Sequence, residues 1–232
     1  MPETRATVVL VHGAWHGSWC WELLKPHQLA GSLAVQTLEL PSATSAVPVG
    51  LAEDARHLNA QLATVAGPII LCGHSYGGMV ISAADTGCAD VRHLVYVCAY
   101  LTEAGESVES SLRSAGERRP GHWIRRLPDG ATCVDGARAA ALFYNDLAEP
   151  TRTWALPKLR PHWGRCFADC AGSPAWRRHP STYVVCDQDQ ALAPRIQREI
   201  YGVRAQACVT LASGHSPFLS QPQQLAQVLL SI

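Results

Sequence analysis

The pentapeptide Gly73-His74-Ser75-Tyr76-Gly77 constrains the fold of this chain more than any other part of its sequence. It follows an apolar run at residues 68–72 and precedes small, helix-compatible residues at 78–84. Glycines at both ends of such a motif allow a turn that larger residues would block, and the turn lifts the serine out of the sheet. The sequence therefore predicts a strand, a tight turn and a helix, with the Ser75 hydroxyl presented as a nucleophile.

Short apolar, β-branched runs alternate with amphipathic stretches along the whole chain. Regular alternation of this kind is typical of an α/β protein with a doubly wound, mostly parallel sheet and helices on both faces. The predicted strands are residues 7–11, 35–40, 69–72, 91–97, 182–186 and 205–211, and the predicted helices lie around residues 19–30, 51–65, 78–84, 194–201 and 222–230.

One segment interrupts this alternation. Strand signals stop between residues 105 and 180, where several tryptophans occur among prolines and arginines. An insertion between two strands of an α/β sheet is typical of a helical cap over the pocket at the carboxyl ends of the strands. We therefore expect one structural domain, with a core of residues 1–104 and 181–232 and a helical cap of residues 105–180.

The predicted cap is mildly basic, with 12 Lys and Arg against 8 Asp and Glu. Two interpretations are open: a lid that favours an anionic substrate, or an ordinary solvated surface whose arginines pair with nearby acids. A cap must also bury apolar surface both against the core and toward the pocket. We therefore expect Trp123, Trp154 and Trp163 to contact the substrate.

A nucleophilic serine needs a histidine base within hydrogen-bond reach and an acid that orients the histidine. His215 follows the predicted strand at 205–211 and fits the chain order serine, acid, histidine that this arrangement uses. The strand at 182–186 ends in Asp187 and Asp189, and their spacing does not decide which of them is the acid. The other aspartate would cap the loop or the next helix.

Acyl transfer also requires hydrogen-bond donors for the oxyanion. The backbone N–H of Tyr76 and that of Ala14, in the loop after the first strand, are the predicted donors. Gly13 lets that loop turn, and we expect Gly13 and His16 to contact the substrate. His12 and His16 lie four residues apart, but a loop interrupted by glycine is not the helix that a metal-binding pair needs.

Composition excludes several classes of function. The chain has 232 residues, a formal net charge of zero and only 16% charged residues. This length favours one domain, and the charge balance argues against nucleic acid as a partner. No stretch reaches the roughly 20 apolar residues that cross a bilayer, so no membrane partner is expected.

Nine cysteines lack the paired spacing that zinc and thioredoxin-like sites use, so neither a metal nor another cofactor is expected. Residues 1–7 lack the apolar stretch and cleavage site of a secretory signal. Free thiols suit a reducing compartment, and together these features favour a cytoplasmic protein. The sequence leaves open whether the protein is a monomer or a homodimer.

These motifs resemble the α/β-hydrolase superfamily, and within it the small plant-type methylesterase and hydroxynitrile lyase group with its bacterial esterase relatives. The resemblance rests on residues 9–21, 73–78, 187–189 and 214–215. It implies the α/β-hydrolase fold and identifies Asp189, the second aspartate, as the acid. It also implies that Ala14 and Tyr76 are the oxyanion donors.

Two departures from the lyase members bear on the reaction. Those members have a hydroxyl or amide residue where Gly13 stands and a lysine where this chain has Ser216. The resemblance therefore favours ester hydrolysis through Ser75, His215 and Asp189 over cyanohydrin cleavage. The tryptophans of the predicted cap indicate that the substrate is a small, apolar or aromatic carboxylic ester. Two alternatives remain: a tailoring enzyme of the thioesterase, lactonase or cyclase type, and a ligand receptor with little turnover.

Overall fold

A six-stranded sheet organises the computed structural model, which describes residues 5–24, 33–116 and 123–232. Its strands pair in the order β2-β1-β3-β4-β8-β9, and every pairing is parallel. This arrangement confirms the predicted α/β fold. The strands are β1 (Thr7–Val11), β2 (Ala34–Leu38), β3 (Ile69–His74), β4 (Val91–Val97), β5 (Ile124–Arg126), β6 (Ala131–Val134), β7 (His162–Trp163), β8 (Ser181–Cys186) and β9 (Ala207–Leu211).

Burial of the strands follows their position in the sheet. Every residue of β1, β3 and β8 is buried, whereas β2 and β9 at the two edges are partly exposed. Central strands of a parallel sheet are covered on both faces, which is why their sequences are continuous apolar runs. The edge strand β2 is also the strand whose predicted bounds, 35–40, differ most from the observed ones.

Helices lie between these strands: α1 (Pro41–Thr44), α2 (Leu51–Leu62), α3 (Gly77–Ala83), α4 (Val108–Ser114), α5 (Gly136–Phe143), α6 (Glu149–Ala155), α7 (Pro194–Ile196), α8 (Pro217–Ser220) and α9 (Pro222–Leu230). Helix α7 continues into a π-helix, Gln197–Gly202. The helix predicted at 19–30 is a short 3-10 helix, Ser18–Trp21, in its described part, and residues 25–32 lie outside the described residues. Within the described residues, no helix combines the length and apolar character needed to span a membrane.

The segment between β4 and β8 contains strands as well as helices. Strands β5, β6 and β7 form a small antiparallel sheet beside α4, α5 and α6. The expectation that strand structure stops in this segment was therefore wrong. These strands are only three, four and two residues long, too short to show the alternating pattern that identifies a strand. The cap boundaries at 105 and 180 stay a prediction.

Glycines in the turn between β3 and α3 allow the backbone to pack without side chains. A Cβ on Gly73 would lie 2.6 Å from the carbonyl oxygen of Gly77, and a Cβ on Gly77 would lie 2.6 Å from that of Val11. Both distances are well below van der Waals contact with backbone that has little room to move. Glycine is therefore required at Gly73 for β3 to lie this close to α3, and at Gly77 for α3 to lie this close to the end of β1.

The variant Gly77→Ala tests this packing. We expect it to lower the free energy of unfolding by about 1–3 kcal/mol, because the added methyl group collides with the backbone of β1. Gly136→Ala in α5 is the matched control, since nothing lies within 4 Å of its added Cβ, and alanine suits a helix better than glycine. Urea unfolding of both variants measures the difference, and equal stabilities would contradict the steric account.

Candidate active site

Ser75 occupies a strained turn between β3 and α3. Its φ of 51° lies in the left-handed region, which a residue with a side chain rarely adopts. Three backbone hydrogen bonds hold it there: its N–H donates to the carbonyl oxygen of Val97 at 3.2 Å, and its own carbonyl oxygen accepts the N–H groups of Gly78 at 3.0 Å and Tyr100 at 3.2 Å. Strain that the surrounding structure maintains in this way is typical of functional sites.

His215 and Asp189 form a buried pair. His215 Nδ1 lies 2.7 Å from Asp189 Oδ2, and only 3% and 2% of the two residues are exposed. The carboxylate also accepts the backbone N–H groups of Ala191 and Leu192 at 2.7 and 3.0 Å. These donors offset the cost of burying a carboxylate, and in the contact with His215 the Nδ1–H donates to the carboxylate oxygen.

Gln197 completes the set of donors to Asp189. Its Nε2 donates to Asp189 Oδ2 at 2.8 Å and to the carbonyl oxygen of Leu192 at 2.7 Å, and its Oε1 accepts the N–H of Cys186 at 2.9 Å. The side chain is fully buried in the π-helix that follows α7. Gln197 therefore ties the acid to the end of β8. Sequence reasoning missed it, because a glutamine in a helical stretch carries no signal.

Asp187, the other carboxylate left open by the sequence, lies elsewhere. Its side chain is exposed, and its backbone N–H donates to the carbonyl oxygen of Leu211 at 3.1 Å. The structure thus brings Asp189, and not Asp187, to the imidazole of His215.

A dipeptide between α5 and α6 contacts both loops that carry this pair. Asp146 Oδ2 accepts the N–H of Gly214 at 2.6 Å, next to His215. Asn145 Nδ2 donates to the carbonyl oxygen of Gln188 at 3.0 Å, next to Asp189. Sequence analysis missed both residues, because their partners lie more than 40 positions away in the chain.

A cavity of about 210 Å³ opens at the carboxyl ends of the strands. Ser75, His215, Ala14 and Tyr76 all line it. Most of the remaining wall is apolar, and its aromatic members are Trp15, Tyr100, Trp123, Phe143 and Phe167. The strained serine, the paired histidine and both predicted oxyanion residues therefore share one apolar space.

Of the three cap tryptophans predicted to contact the substrate, Trp123 lines this cavity. Trp154 and Trp163 are not among its lining residues. The indole N–H of Trp163 donates to Ser45 at 3.1 Å, and the ring of Trp154 packs edge-on against Trp19 with centroids 5.6 Å apart. These two rings attach the segment to the core, which corrects the prediction for them.

Gly13 and His16 also lie behind the cavity wall rather than in it. A Cβ on Gly13 would be 2.9 Å from the Cβ of Ser75, so the absence of a side chain is what lets the loop approach the serine. His16 Nδ1 donates to the carbonyl oxygen of Ala14 at 2.9 Å, and its Nε2 accepts the hydroxyl of Tyr144 at 3.0 Å. The structure therefore places His16 as a support for Ala14.

Trp15 is a lining residue that sequence reasoning missed. Its φ of 62° is left-handed, and its ring stacks on Phe143 with centroids 5.8 Å apart and contacts Phe167 at 5.4 Å. Its position directly after Ala14 was the available signal, because a bulky residue beside an oxyanion donor has to face the pocket or the core.

Comparison with known proteins agrees with this geometry. The profile of the alpha/beta hydrolase family matches residues 8–228. The chain belongs to that family. A carbendazim hydrolyzing esterase of Nocardioides sp. (strain SG-4G) is 36% identical to this hydrolase over 260 residues, covering 98% of this chain and 99% of the relative. Methylesterase 3 of Arabidopsis thaliana is 31% identical over 257 residues, covering 99% and 97%.

Solved structures agree on the fold. A pyrethroid hydrolase from Sphingobium faniae JZ-2 superposes with a TM-score of 0.83 at 23% identity, covering 98% of this chain and 97% of that one. The relatives and the family together make this protein a carboxylesterase-type α/β hydrolase. The predicted family, fold and enzyme class are thereby confirmed.

Four more histidines are buried around the active site of this hydrolase. Burial lowers the pKa of His12 to about 4 and the pKa values of His16 and His162 to about 3, and it lowers the pKa of His74 well below its usual range. All four rings are therefore neutral near pH 7. His74 Nε2 donates to the carbonyl oxygen of His215 at 2.9 Å, which fixes the position of that backbone.

Within the described part of the hydrolase, one group of three side chains has metal-ligand spacing. The ligand atoms of His74, Cys98 and His215 lie within 4.8 Å of one another. Each residue is already engaged: His215 with Asp189, His74 with the His215 carbonyl, and the Cys98 thiol with that same carbonyl at 3.3 Å. Burial also raises the pKa of the Cys98 thiol well above its usual range, which disfavours the thiolate that binds metals.

Buried neutral histidines predict a stability that falls in acid. In the unfolded chain a histidine binds its proton near pH 6.5, whereas folded His16 and His162 bind theirs only near pH 3. Below pH 6.5 the unfolded state therefore holds more protons, and stability decreases as the pH falls toward 3. At pH 5 each of these two rings should cost on the order of 2 kcal/mol relative to pH 7.

The variant His162→Phe tests this origin of acid sensitivity. Both ring nitrogens of His162 lack hydrogen-bond partners in the described structure, and the ring packs against Tyr76 and Phe167, so phenylalanine suits the site. Urea unfolding between pH 4 and 6 measures how the free energy of unfolding depends on pH. For the variant this dependence should be weaker than for the unsubstituted protein by about 1.4 kcal/mol per pH unit, which corresponds to one proton. An unchanged slope would show that His162 is not a source of the acid sensitivity.

Proposed function

We propose that this protein is a serine hydrolase that cleaves a small carboxylic ester through an acyl-enzyme intermediate. The observation that carries the proposal is the 2.7 Å contact between His215 Nδ1 and Asp189 Oδ2, in a histidine that lines the same cavity as Ser75. A histidine fixed in this way has its other ring nitrogen free for proton transfer, as a serine nucleophile requires.

In the proposed mechanism Asp189 accepts a hydrogen bond from the Nδ1–H of His215, and the proton stays on the imidazole. The Nε2 lone pair then takes the hydroxyl proton of Ser75 as its oxygen attacks the ester carbonyl, and the imidazolium returns that proton to the leaving alcohol. Water repeats the same steps on the acyl-enzyme. The donors to Asp189 hold the carboxylate in place through both halves of the cycle.

The backbone N–H groups of Ala14 and Tyr76 are the proposed oxyanion donors. Both residues line the cavity, and no hydrogen bond between described residues uses either N–H. Free donors beside the nucleophile stabilise the charge that develops in the transition state, by about 10²- to 10³-fold in rate for each donor.

The size and lining of the cavity support a small apolar or aromatic acyl substrate. About 210 Å³ is below the usual range of pockets for drug-sized ligands, and Trp15, Trp123 and Phe143 form an aromatic wall. The relatives named as esterases and methylesterases support an ester. A cytoplasmic location is part of the proposal, supported by the free thiols of the eight described cysteines.

Replacing the nucleophile is the direct test. Ser75→Ala should reduce hydrolysis of p-nitrophenyl acetate by on the order of 10⁴-fold or more, because no other group forms the acyl-enzyme. Labelling with a fluorophosphonate should modify the unsubstituted protein at Ser75 and leave the variant unlabelled. Substantial activity in a folded Ser75→Ala variant would remove this serine from the mechanism.

The two aspartates of the same loop form a matched pair for testing the acid. Asp189→Asn should lower kcat by on the order of 10³- to 10⁴-fold, since the amide no longer holds His215 in the required tautomer. Asp187→Asn changes an exposed side chain and should leave kcat within about 2-fold. Thermal unfolding of each variant controls for loss of fold, and equal effects on kcat would contradict the assignment of Asp189.

A further inference from the structure

One positive charge in the cavity wall, that of Arg126, has no counterion among the described residues. Strand β5 alternates its side chains between two faces, so Ile124 and Arg126 line the cavity and Arg125 between them does not. In the register of β5 with β6, Arg126 lies opposite Thr132, another lining residue, and Arg125 lies opposite Cys133. The sheet itself therefore directs Arg126 toward the substrate space.

The wall beside this arginine is held by hydrogen bonds. The hydroxyl of Thr132 accepts the indole N–H of Trp15 at 3.1 Å and donates to the carbonyl oxygen of His162 at 2.8 Å. Arg126 Nη1 lies near Gly164, where an added Cβ would be 3.7 Å from it. The guanidinium thus lies beside a part of the wall that hydrogen bonds hold in place. This part includes Trp15, the residue after Ala14.

Charges on the remaining wall cancel one another. Glu109 and Arg113 in α4 also line the cavity and form an ion pair at 3.8 Å. Arg126 makes no ion pair or hydrogen bond with any described residue, so the lining keeps one net positive charge. By contrast, five of the eight other arginines described between β4 and β8 are paired with acids: Arg113, Arg152, Arg160, Arg165 and Arg177.

We propose that Arg126 selects esters that also carry a carboxylate remote from the scissile bond, so that the substrate class is a half-ester of a small, preferably aromatic, dicarboxylic acid. This inference rests on the proposed esterase activity. A guanidinium presents parallel N–H groups that match a carboxylate, and the aromatic lining receives the apolar body of the same molecule. The substrate carboxylate would supply the partner that none of the described residues provides at this position.

The expected effect is moderate because Arg126 is exposed to solvent on one side. An exposed ion pair contributes up to about 1 kcal/mol, which corresponds to about 5-fold in kcat/KM. Salt screens exposed charges, so the preference for the anionic ester should decrease as the ionic strength rises from about 0.01 M to about 1 M. Over this range the screening length falls from roughly 30 Å to roughly 3 Å.

Two esters of the same shape separate the charge effect from other causes. Monomethyl terephthalate carries the carboxylate, and methyl 4-carbamoylbenzoate replaces it with a neutral amide. Arg126→Gln should lower kcat/KM for the anionic ester by about 5-fold and change the neutral ester by less than about 2-fold. Arg125→Gln, on the other face of β5, is the matched control and should change neither. An equal change for both esters, or no change, overturns the inference.

A binding measurement keeps this inference separate from the proposed mechanism. Calorimetric titration of monomethyl terephthalate into Ser75→Ala, with and without Arg126→Gln, measures recognition without turnover. If the ester binds Ser75→Ala more tightly than the double variant, the role of Arg126 is supported. That conclusion holds even if the unsubstituted protein hydrolyses neither ester, whereas such a lack of hydrolysis would count against the proposed esterase mechanism. Equal binding in both variants, with normal hydrolysis by the unsubstituted protein, rejects the inference and leaves the mechanism intact.

Discussion

The buried carboxylate of Asp189 needs hydrogen-bond donors, and it receives them from three separate parts of the chain. Its own loop supplies the N–H groups of Ala191 and Leu192, the π-helix supplies Gln197, and the loop after β9 supplies His215. An unpaired carboxylate in this position would be strongly destabilising. The requirement to satisfy it therefore fixes how the end of β8, the π-helix and the histidine loop pack together.

Much of the core could be predicted because its signals are local. The apolar runs of β1 and β4 gave strand bounds that match the structure, and the glycine spacing around Ser75 indicated the turn that holds it at a positive φ. The residues missed at the site depend on contacts distant in sequence. Gln197 and Asp146 have roles only because folding brings Asp189 and Gly214 to them, and polar residues in helices and loops carry no periodic signal of such contacts.

The structure of the segment between β4 and β8 was harder to predict from the sequence for a related reason. Its tryptophans were expected to face the pocket, yet Trp154 and Trp163 pack toward the core while Trp15, from the first loop, lines the cavity. Composition indicates that apolar rings are needed but not which surface they cover. Its basic surplus illustrates the same limit, since five of its nine described arginines pair with acids, and strand register together with the cavity lining distinguishes Arg126 from its neighbour Arg125.

Asn145 and Asp146 connect the inserted segment by hydrogen bonds to the loops that carry Asp189 and His215. One residue binds the backbone beside Asp189, and the other binds the backbone beside His215. A shift of this segment that admits or releases a ligand must either carry both loops along or break these bonds. The positions of the His215 imidazole and the Asp189 carboxylate are thus coupled to the position of the inserted segment through two adjacent side chains.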